Sequence, residues 1–346
     1  MSTSGAGSRA PTMQDVARAA GVSKALVSIV FRGVPGASEE TRARVFQTAE
    51  DLGYRANRTA SLLARRRTKH LGVTLNVRNT FHAELVEGIQ AAADELGYEI
   101  VLSTVTARHD ESRAVETLLE FRCESVILLG SNLPNGALET LTRVVPVVLI
   151  GRRAALGNID VVRTDDDHGQ GLLVDHLVGL GHAQIAHVDG GPGIISADRR
   201  QGYLSAMRRH GLNHHVTVVP GGFGEGDGWR AAGELLAAGH LPSAVTASND
   251  HCALGVIDRF ARAGVSVPDA VSVTGYDNAP VAQLASVDLT TVSQEAGVQA
   301  EWAVRAAVER LEGLRTEPQE SILEPRLVVR RTTVQRPVSP SAGGGR

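Results

Sequence analysis

The sequence predicts an α/β protein with an all-α head: an N-terminal helix-turn-helix domain followed by a two-lobed core of parallel sheets. Three observations carry this prediction. Two short amphipathic helices meet across Gly21, and from Lys69 onward strand-like runs alternate with helical ones in two successive series. Charge is also divided unevenly. The 346 residues carry a formal net charge of −3, yet residues 1–69 hold 12 Lys or Arg against 5 Asp or Glu. That is a balance of +7 on the head and −10 on the rest. A basic head on an acidic body suits phosphate binding by the head alone.

The first helix begins at Thr12, which has capping-box spacing to Asp15, and Met13, Val16, Ala17 and Ala20 recur at helical period. Gly21 stops it, because the residue after a helix often needs positive φ. Ser23 caps the second helix, whose Val27, Val30 and Phe31 turn back toward the first. In a helix-turn-helix this second helix lies in the DNA major groove, with residues near its start on base edges. Ser23, Lys24 and Ala25 hold that start, and Ser28 and Ile29 follow one turn later. A third helix is capped by Ser38, carries Glu39 and Glu40 at its positive end, packs through Val45, Ala49 and Leu52, and ends at Gly53. A surface helical hairpin is the plainer alternative for such a pair.

The order DVARAAGVSKALVSIVFRG, SEETRARVFQTAEDLGYRANRTASLLA closely resembles the amino terminus of the lac repressor (LacI/GalR) family of bacterial regulators. The resemblance implies that the next segment, TASLLARRRTKH, forms a hinge helix only when two subunits sit on an operator. A leucine then opens a base step in the minor groove, as apolar wedges do. Leu63 falls at that position, with Asn57 and Arg58 before it. Ala56 stands where the family usually has Pro, and Ile29 where it most often has Arg. Arg is the bidentate partner of guanine, whereas Ile can only meet a thymine methyl or turn inward and leave the base unread.

Beyond Lys69, strands are expected in HLGVTLNV, YEIVLSTV, SVILLG, VPVVLIG and IDVVRTD, with helices between them. A second series follows: strands in AQIAHVDGG, VTVVPG, SAVTASND and a long VSVTGYD, again with helices between. A late helix, AEWAVRAAVERLEG, and a closing strand in RLVVRRTTVQ complete the pattern. The anchors NTFHAELVEGI, LGHAQIAHVDGGP, ADRRQGYLSAM, ASNDHCALGV, VSVTGYDN and LTTVSQ resemble the periplasmic-binding-protein-like core of the same family. The expected organisation is therefore a head at 11–56, a hinge at 57–68 and a core at 69–336. Lobe one covers about 69–164 and 296–325, and lobe two about 165–295 and 326–336. Residues 1–10 and 337–346, rich in Ser, Gly and Pro, are expected to be disordered tails.

Ligands of open α/β sheets bind beyond the carboxyl ends of strands. Asp165, Asn249 and Asp277 stand at such ends, although each residue type also serves as a cap or turn. By the family resemblance, effector contacts fall on Asn249, Asp277 and Arg199, with Phe81 and Phe223 as aromatic faces and Gln294 at the lobe connection. Carboxylates, amides and a forked guanidinium suit the hydroxyls of a sugar or nucleoside. The Asp165–His168 run offers hard oxygen ligands, but four adjacent residues do not converge on one ion, so a capping role is expected instead. Trp229 reads as core, and GGPG at 190–193 as a loop before a helix that starts later.

No nucleophile elbow, HExxH or paired catalytic carboxylates appear, and nothing calls for a cofactor. The N-terminus lacks the apolar core of a signal peptide, and no run is long and apolar enough for a membrane span. Cys123 and Cys252 lie apart in apolar runs, which fits free thiols in the cytoplasm. An enzyme leaves the head unexplained, and so does an exported solute-binding protein with the same core. The expectation is a transcriptional regulator: a repressor that binds double-stranded palindromic operator DNA as a homodimer and is released by a small effector, with a sugar favoured.

Overall fold

The computed structural model describes residues 11–31, 34–54 and 67–336. The expected tails, and the hinge positions Asn57, Arg58 and Leu63, lie outside the described residues. The chain divides between Thr68 and Lys69 into two compact units.

The first unit contains three helices. In α1 (Met13–Ala19) the box is reciprocal: Thr12 Oγ1 accepts from the Asp15 N–H at 3.4 Å, and Asp15 Oδ2 accepts from the Thr12 N–H at 2.9 Å. Gly21 then takes φ +70°, where a Cβ would be strained. Ser23 Oγ accepts from the Leu26 N–H at 3.1 Å to start α2 (Lys24–Phe31). Ser38 caps α3 (Glu39–Asp51) by accepting from the Thr41 N–H at 3.3 Å. Val16, Val27, Val30 and Val45 form the core, with Ala17, Ala20 and Ala49 letting the helices approach. Phe31 meets Phe46 and Tyr54 edge-on at 5.4 and 5.6 Å between ring centres. Leu52, expected in this core, is 38% exposed. Tyr54, which returns after Gly53, packs there instead.

The second unit is built on two parallel sheets. The first series runs β1 (His70–Asn76), α4 (Thr80–Glu95), β2 (Glu99–Val105), α5 (Glu111–Glu120), β3 (Ser125–Leu129), α6 (Asn135–Thr142), β4 (Val147–Ile150) and β5 (Asp160–Thr164). The second runs α7 (Asp166–Gly179), β6 (Ile185–Val188), α8 (Ile194–Arg209), β7 (Thr217–Val219), α9 (Glu225–Ala237), β8 (Ala244–Ala247), α10 (Asp250–Arg262) and β9 (Ser272–Thr274). After these come β10 (Thr291–Ser293), α11 (Ala296–Leu311), β11 (Glu320–Leu323) and β12 (Arg326–Val328). The lobe-one sheet has the order β11-β5-β4-β3-β1-β2 and the lobe-two sheet β7-β6-β8-β9, both parallel throughout.

Strands covered on both faces read as continuous apolar runs, and β3 shows the reason. Val126 and Leu128 pack against α5 and α6 through Leu118, Leu138 and Leu141. Ile127 and Leu129 face the opposite layer, where Leu85 and Ile89 of α4 meet Ala300, Ala303 and Val304 of α11. Period-2 alternation thus feeds two cores from one strand. The chain crosses from lobe one to lobe two after β5, returns after β10 and crosses again after β11. β10 and β12 pair antiparallel, Thr291 opposite Val328, so two of the crossing segments support each other.

Several boundaries differ from expectation. β11 was not anticipated: ESIL is short, and only its pairing with β5, more than 150 residues earlier, makes it a strand. Only Arg326–Val328 of the expected closing strand is one, and the expected long strand at VSVTGYD is confined to Ser272–Thr274. Its continuation touches β10 through single bridges at Thr274–Thr290 and Asp277–Ser293. The helix after GGPG starts at once, at Ile194. Trp229 is 39% exposed on α9, with the Arg259 guanidinium 4.3 Å from its ring centre. Free buried thiols at Cys123 and Cys252 are present.

Thr12→Ala removes one half of the α1 capping box. It is expected to destabilise the head by about 1 kcal/mol. Hydrogen exchange on the full chain checks this: amides of α1–α3 should exchange faster and those of the two parallel sheets should not change.

Candidate functional site

In the head, Ser23, Lys24 and Ala25 are exposed at the start of α2, while Ser28 and Ile29 are half-buried. Ile29 turns toward the segment between α2 and α3: its Cγ2 and Cδ1 lie 3.5 and 3.7 Å from where a Cβ on Gly36 would sit. Lys24 is the basic residue of α2 and is exposed at its start.

In the second unit a cavity of about 410 Å³ opens at the carboxyl ends of the strands, between the lobes. Lobe one contributes Asn76 at the end of β1, Phe81 and His82 from the first turn of α4, and Gly130 and Gly151 beyond β3 and β4. Lobe two contributes Ser196 and Arg199 from α8, Phe223 and Asp227 before and on α9, and Asp277 after β9. Gln294, in the second crossing, closes the floor. Asn79 caps α4 by accepting from the Phe81 N–H at 3.1 Å, starting the helix earlier than its apolar periodicity does. That cap fixes where Phe81 and His82 face.

Arg199 is the electrostatic centre. It is 4% exposed, and its Nε donates to Asp166 Oδ1 at 3.0 Å. Its other nitrogens donate to the Ser248 carbonyl at 2.6 Å and to Asp277 Oδ1 at 3.4 Å. The guanidinium lies 3.8 Å from the centre of the Tyr276 ring, a stacked cation–π geometry. Gln294 Nε2 donates to Asp277 Oδ1 at 2.6 Å, and Gln299 Nε2 donates to the Gln294 carbonyl at 2.8 Å and to Thr164 Oγ1 at 3.1 Å. Burial pushes the Asp277 carboxyl up to about 6 although Arg199 and Gln294 hold it down, and the charge of Asp166 adds to the upward push. Asp250, buried behind it, is raised as well by burial and by Asp277. It accepts from Thr291 Oγ1 at 2.6 Å and from the Ala279 N–H at 2.7 Å.

At the rim the lobes touch through a chain of polar groups. Thr80 Oγ1 at the start of α4 meets His251 Nε2 on α10 at 2.5 Å, and His251 Nδ1 meets the Glu225 carboxylate at the start of α9. Glu84, one turn further along α4, is pushed up to about 7 by burial and by the charges of Asp277 and Glu87.

Of the residues singled out in the sequence, Phe81, Arg199, Phe223, Asp277 and Gln294 line the cavity. Asp165 and Asn249 do not. Asp165 caps α7 by accepting from the His168 N–H at 3.3 Å, and its neighbour Asp166 takes the buried position beside Arg199. Asn249 caps α10 by accepting from the Cys252 N–H at 2.8 Å. In both cases a side-chain oxygen is turned to a backbone N–H of its own helix, and the residue does not line the cavity. The Asp165–His168 run is thus a helix start, and among the described residues no group of three or more His, Cys, Asp or Glu is placed to hold a metal. Sequence reasoning missed Asp166, His82 and Ser196. For His82 a signal existed, the Asn79 cap.

Residues 12–57 match the family of bacterial regulatory proteins, lacI family, and residues 174–333 match a periplasmic binding protein-like domain. The HTH-type transcriptional regulator DegA of Bacillus subtilis (strain 168) is 32% identical over 330 residues, covering 93% of this chain and 98% of its own. The crystal structure of the lac repressor dimer bound to operator and the anti-inducer ONPF has a TM-score of 0.82 at 27% identity, covering 94% of this chain and 100% of that one. The complex of the transcriptional regulator CelR with cellobiose has a TM-score of 0.69 at 29% identity, covering 93% and 99%.

Arg199→Met would leave two buried carboxylates without their cation. It is expected to cost about 3–5 kcal/mol of stability in the second unit. Urea unfolding of the full chain measures this, and a loss below about 1 kcal/mol would show that the charges are solvated rather than paired.

Proposed function

The chain belongs to the LacI family of bacterial regulatory proteins, and on that premise we propose that it represses transcription from a palindromic operator and is released when a small sugar fills the cavity between its lobes. One observation carries this reading: a single chain joins a helix-turn-helix with an exposed Ser23-Lys24-Ala25 start to a cavity that sets charged and amide side chains beside two aromatic rings. Two-fold symmetry of a dimer matches the two half-sites of a palindrome. Phe81 and Phe223 offer faces to the apolar side of a pyranose or furanose, and Asn76, Asp227, Asp277 and Gln294 offer hydrogen bonds to its hydroxyls. The relative solved with cellobiose and the lac repressor solved with operator support both halves. On this reading the protein acts in the cytoplasm as a regulator and not as a catalyst, which its regulator relatives support. Among the described residues no helix is long and apolar enough to cross a membrane.

The effector acts only through its different affinity for the operator-bound and released states. Thr80 and His251 join the lobes at the rim, so a ligand that alters lobe spacing must alter that contact. Outside the described residues, Asn57, Arg58 and Leu63 are assigned to the hinge that meets the minor groove.

A thermal-shift screen of sugars and nucleosides on the full chain tests the effector class. At a hundredfold excess over Kd a true effector stabilises by about 2.7 kcal/mol, a shift of several degrees. The same compound should release the chain from duplexes selected from a random library. A purine nucleoside that stabilises the protein while every sugar fails would refute the sugar assignment.

The packing of Ile29 toward Gly36 gives a second expectation. The wild-type protein should show no base preference at the half-site position facing residue 29, and Ile29→Arg should create a guanine preference of about 1–3 kcal/mol there. Library selection with both proteins checks it. A strong guanine in the wild-type site, unchanged by the substitution, would mean that another residue reads that position.

A further inference from the structure

His82 is buried, 6% exposed, in the first turn of α4. Its Nδ1 lies 3.1 Å from the backbone nitrogen of Asn76 and accepts that N–H. A backbone N–H only donates, so Nδ1 must carry its lone pair, and the neutral ring must hold its proton on Nε2. Nε2 faces a part of the cavity wall made without side-chain acceptors. A Cβ on Gly130 would sit 3.2 Å from it, and the neighbouring surface is Gly151 and the Ile195 methyl. Among the described residues no protein group bonds Nε2, which opens to the cavity rather than being sealed in the wall. A donor that opens on a cavity without a protein partner is placed to meet an acceptor that enters it. Phe81 beside it cannot serve, and Gly130 and Gly151 have no side chains to offer.

We infer that His82 is a ligand-contacting, specificity-determining residue whose Nε2–H donates to an oxygen of the bound sugar. This rests on the reading of the cavity as a sugar site. Burial lowers the imidazole to about 4, so the ring is neutral at physiological pH and carries one donor there. A hydroxyl, ring or glycosidic oxygen satisfies that donor. An ammonium group has no lone pair to offer, so an amino sugar that places its nitrogen against His82 is rejected. Glu111, Asp277 and Arg199 also line the cavity, but Arg199 is spoken for by Asp166, Ser248 and Asp277. His82 therefore supplies a donor to the lobe-one side that the charged centre does not.

Two measurements on the full chain test the inference. Long-range proton–nitrogen spectra of protein labelled with nitrogen-15 histidine, recorded from pH 5.5 to 8, should show His82 as the Nε2–H tautomer with no titration. A proton on Nδ1, or titration near pH 6.5, overturns it. Titration calorimetry then uses whichever of cellobiose, ribose and galactose binds the wild type. His82→Phe keeps a flat ring but no donor and should weaken binding at least tenfold. His82→Gln keeps a side-chain N–H and should stay within about threefold of wild type, which separates loss of the donor from loss of folding. Wild-type affinity in His82→Phe overturns the inference. Failure of all three sugars to bind the wild type counts against the sugar reading itself, and the tautomer spectrum then decides whether His82 presents a donor.

Discussion

A buried guanidinium organises the second unit. Arg199 joins α8 to the start of α7 through Asp166, to the end of β8 through the Ser248 carbonyl, and to the segment after β9 through Asp277. Three elements that share no sequence proximity are thereby held at one edge of the lobe-two sheet. The arrangement is tolerable only as a complete set, because removing an ion from water costs more than a single contact returns. Two carboxylates, a carbonyl and a flanking aromatic ring together meet that cost. The seam continues through Gln294 and Gln299 to Thr164, so hydrogen bonds tie the charge centre to two of the three places where the chain changes lobes. The cavity wall and the lobe crossings thus belong to one network.

The same network explains why the cavity has a firm floor and a looser rim. The floor is the Asp277–Gln294–Arg199 group, buried and tied together by its own hydrogen bonds. The rim is the Thr80–His251–Glu225 chain, where side chains near solvent span the gap between lobes. Contacts near solvent contribute less than buried ones and exchange more readily for water. A molecule entering the cavity can rearrange the rim at small cost and can rearrange the floor only by breaking it.

Local chemistry was legible in the sequence, and long-range use of side chains was not. Thr12, Asp15, Gly21, Ser23 and Ser38 each act within four residues of themselves, so their capping and turning roles follow from spacing alone. The alternation of strands and helices was equally plain, since strands covered on both faces, such as β4 and residues 126–129 of β3, read as unbroken apolar runs. Asp165 and Asp166 mark the limit. Both are acids at a strand-to-helix junction, and one residue of helical phase decides which caps the helix and which meets a buried arginine 33 positions away. Asn249 was read as a ligand residue for the same reason, because a strand-end Asn is equally suited to a pocket or to a cap. β11 fell outside sequence reasoning because four residues carry too little pattern, and its partner strand lies on the far side of the whole second lobe.

The threading of the chain has a consequence for how the protein is made. Lobe two is nearly continuous, with its four-stranded sheet complete by Thr274. Lobe one is not: its sheet lacks an edge strand, and one of its faces lacks α11, until residues 296–323 have been synthesised. Translation at about 5–20 residues per second therefore leaves β1 to β5 waiting for about 8–30 s with Ile127, Val148 and Val162 lacking their α11 cover on that face. The lobe that begins to emerge first is the last to close. During that interval the nascent chain presents an unfinished apolar surface and a bare β5 edge, and these mark the stage at which a ribosome-associated chaperone has the most to protect.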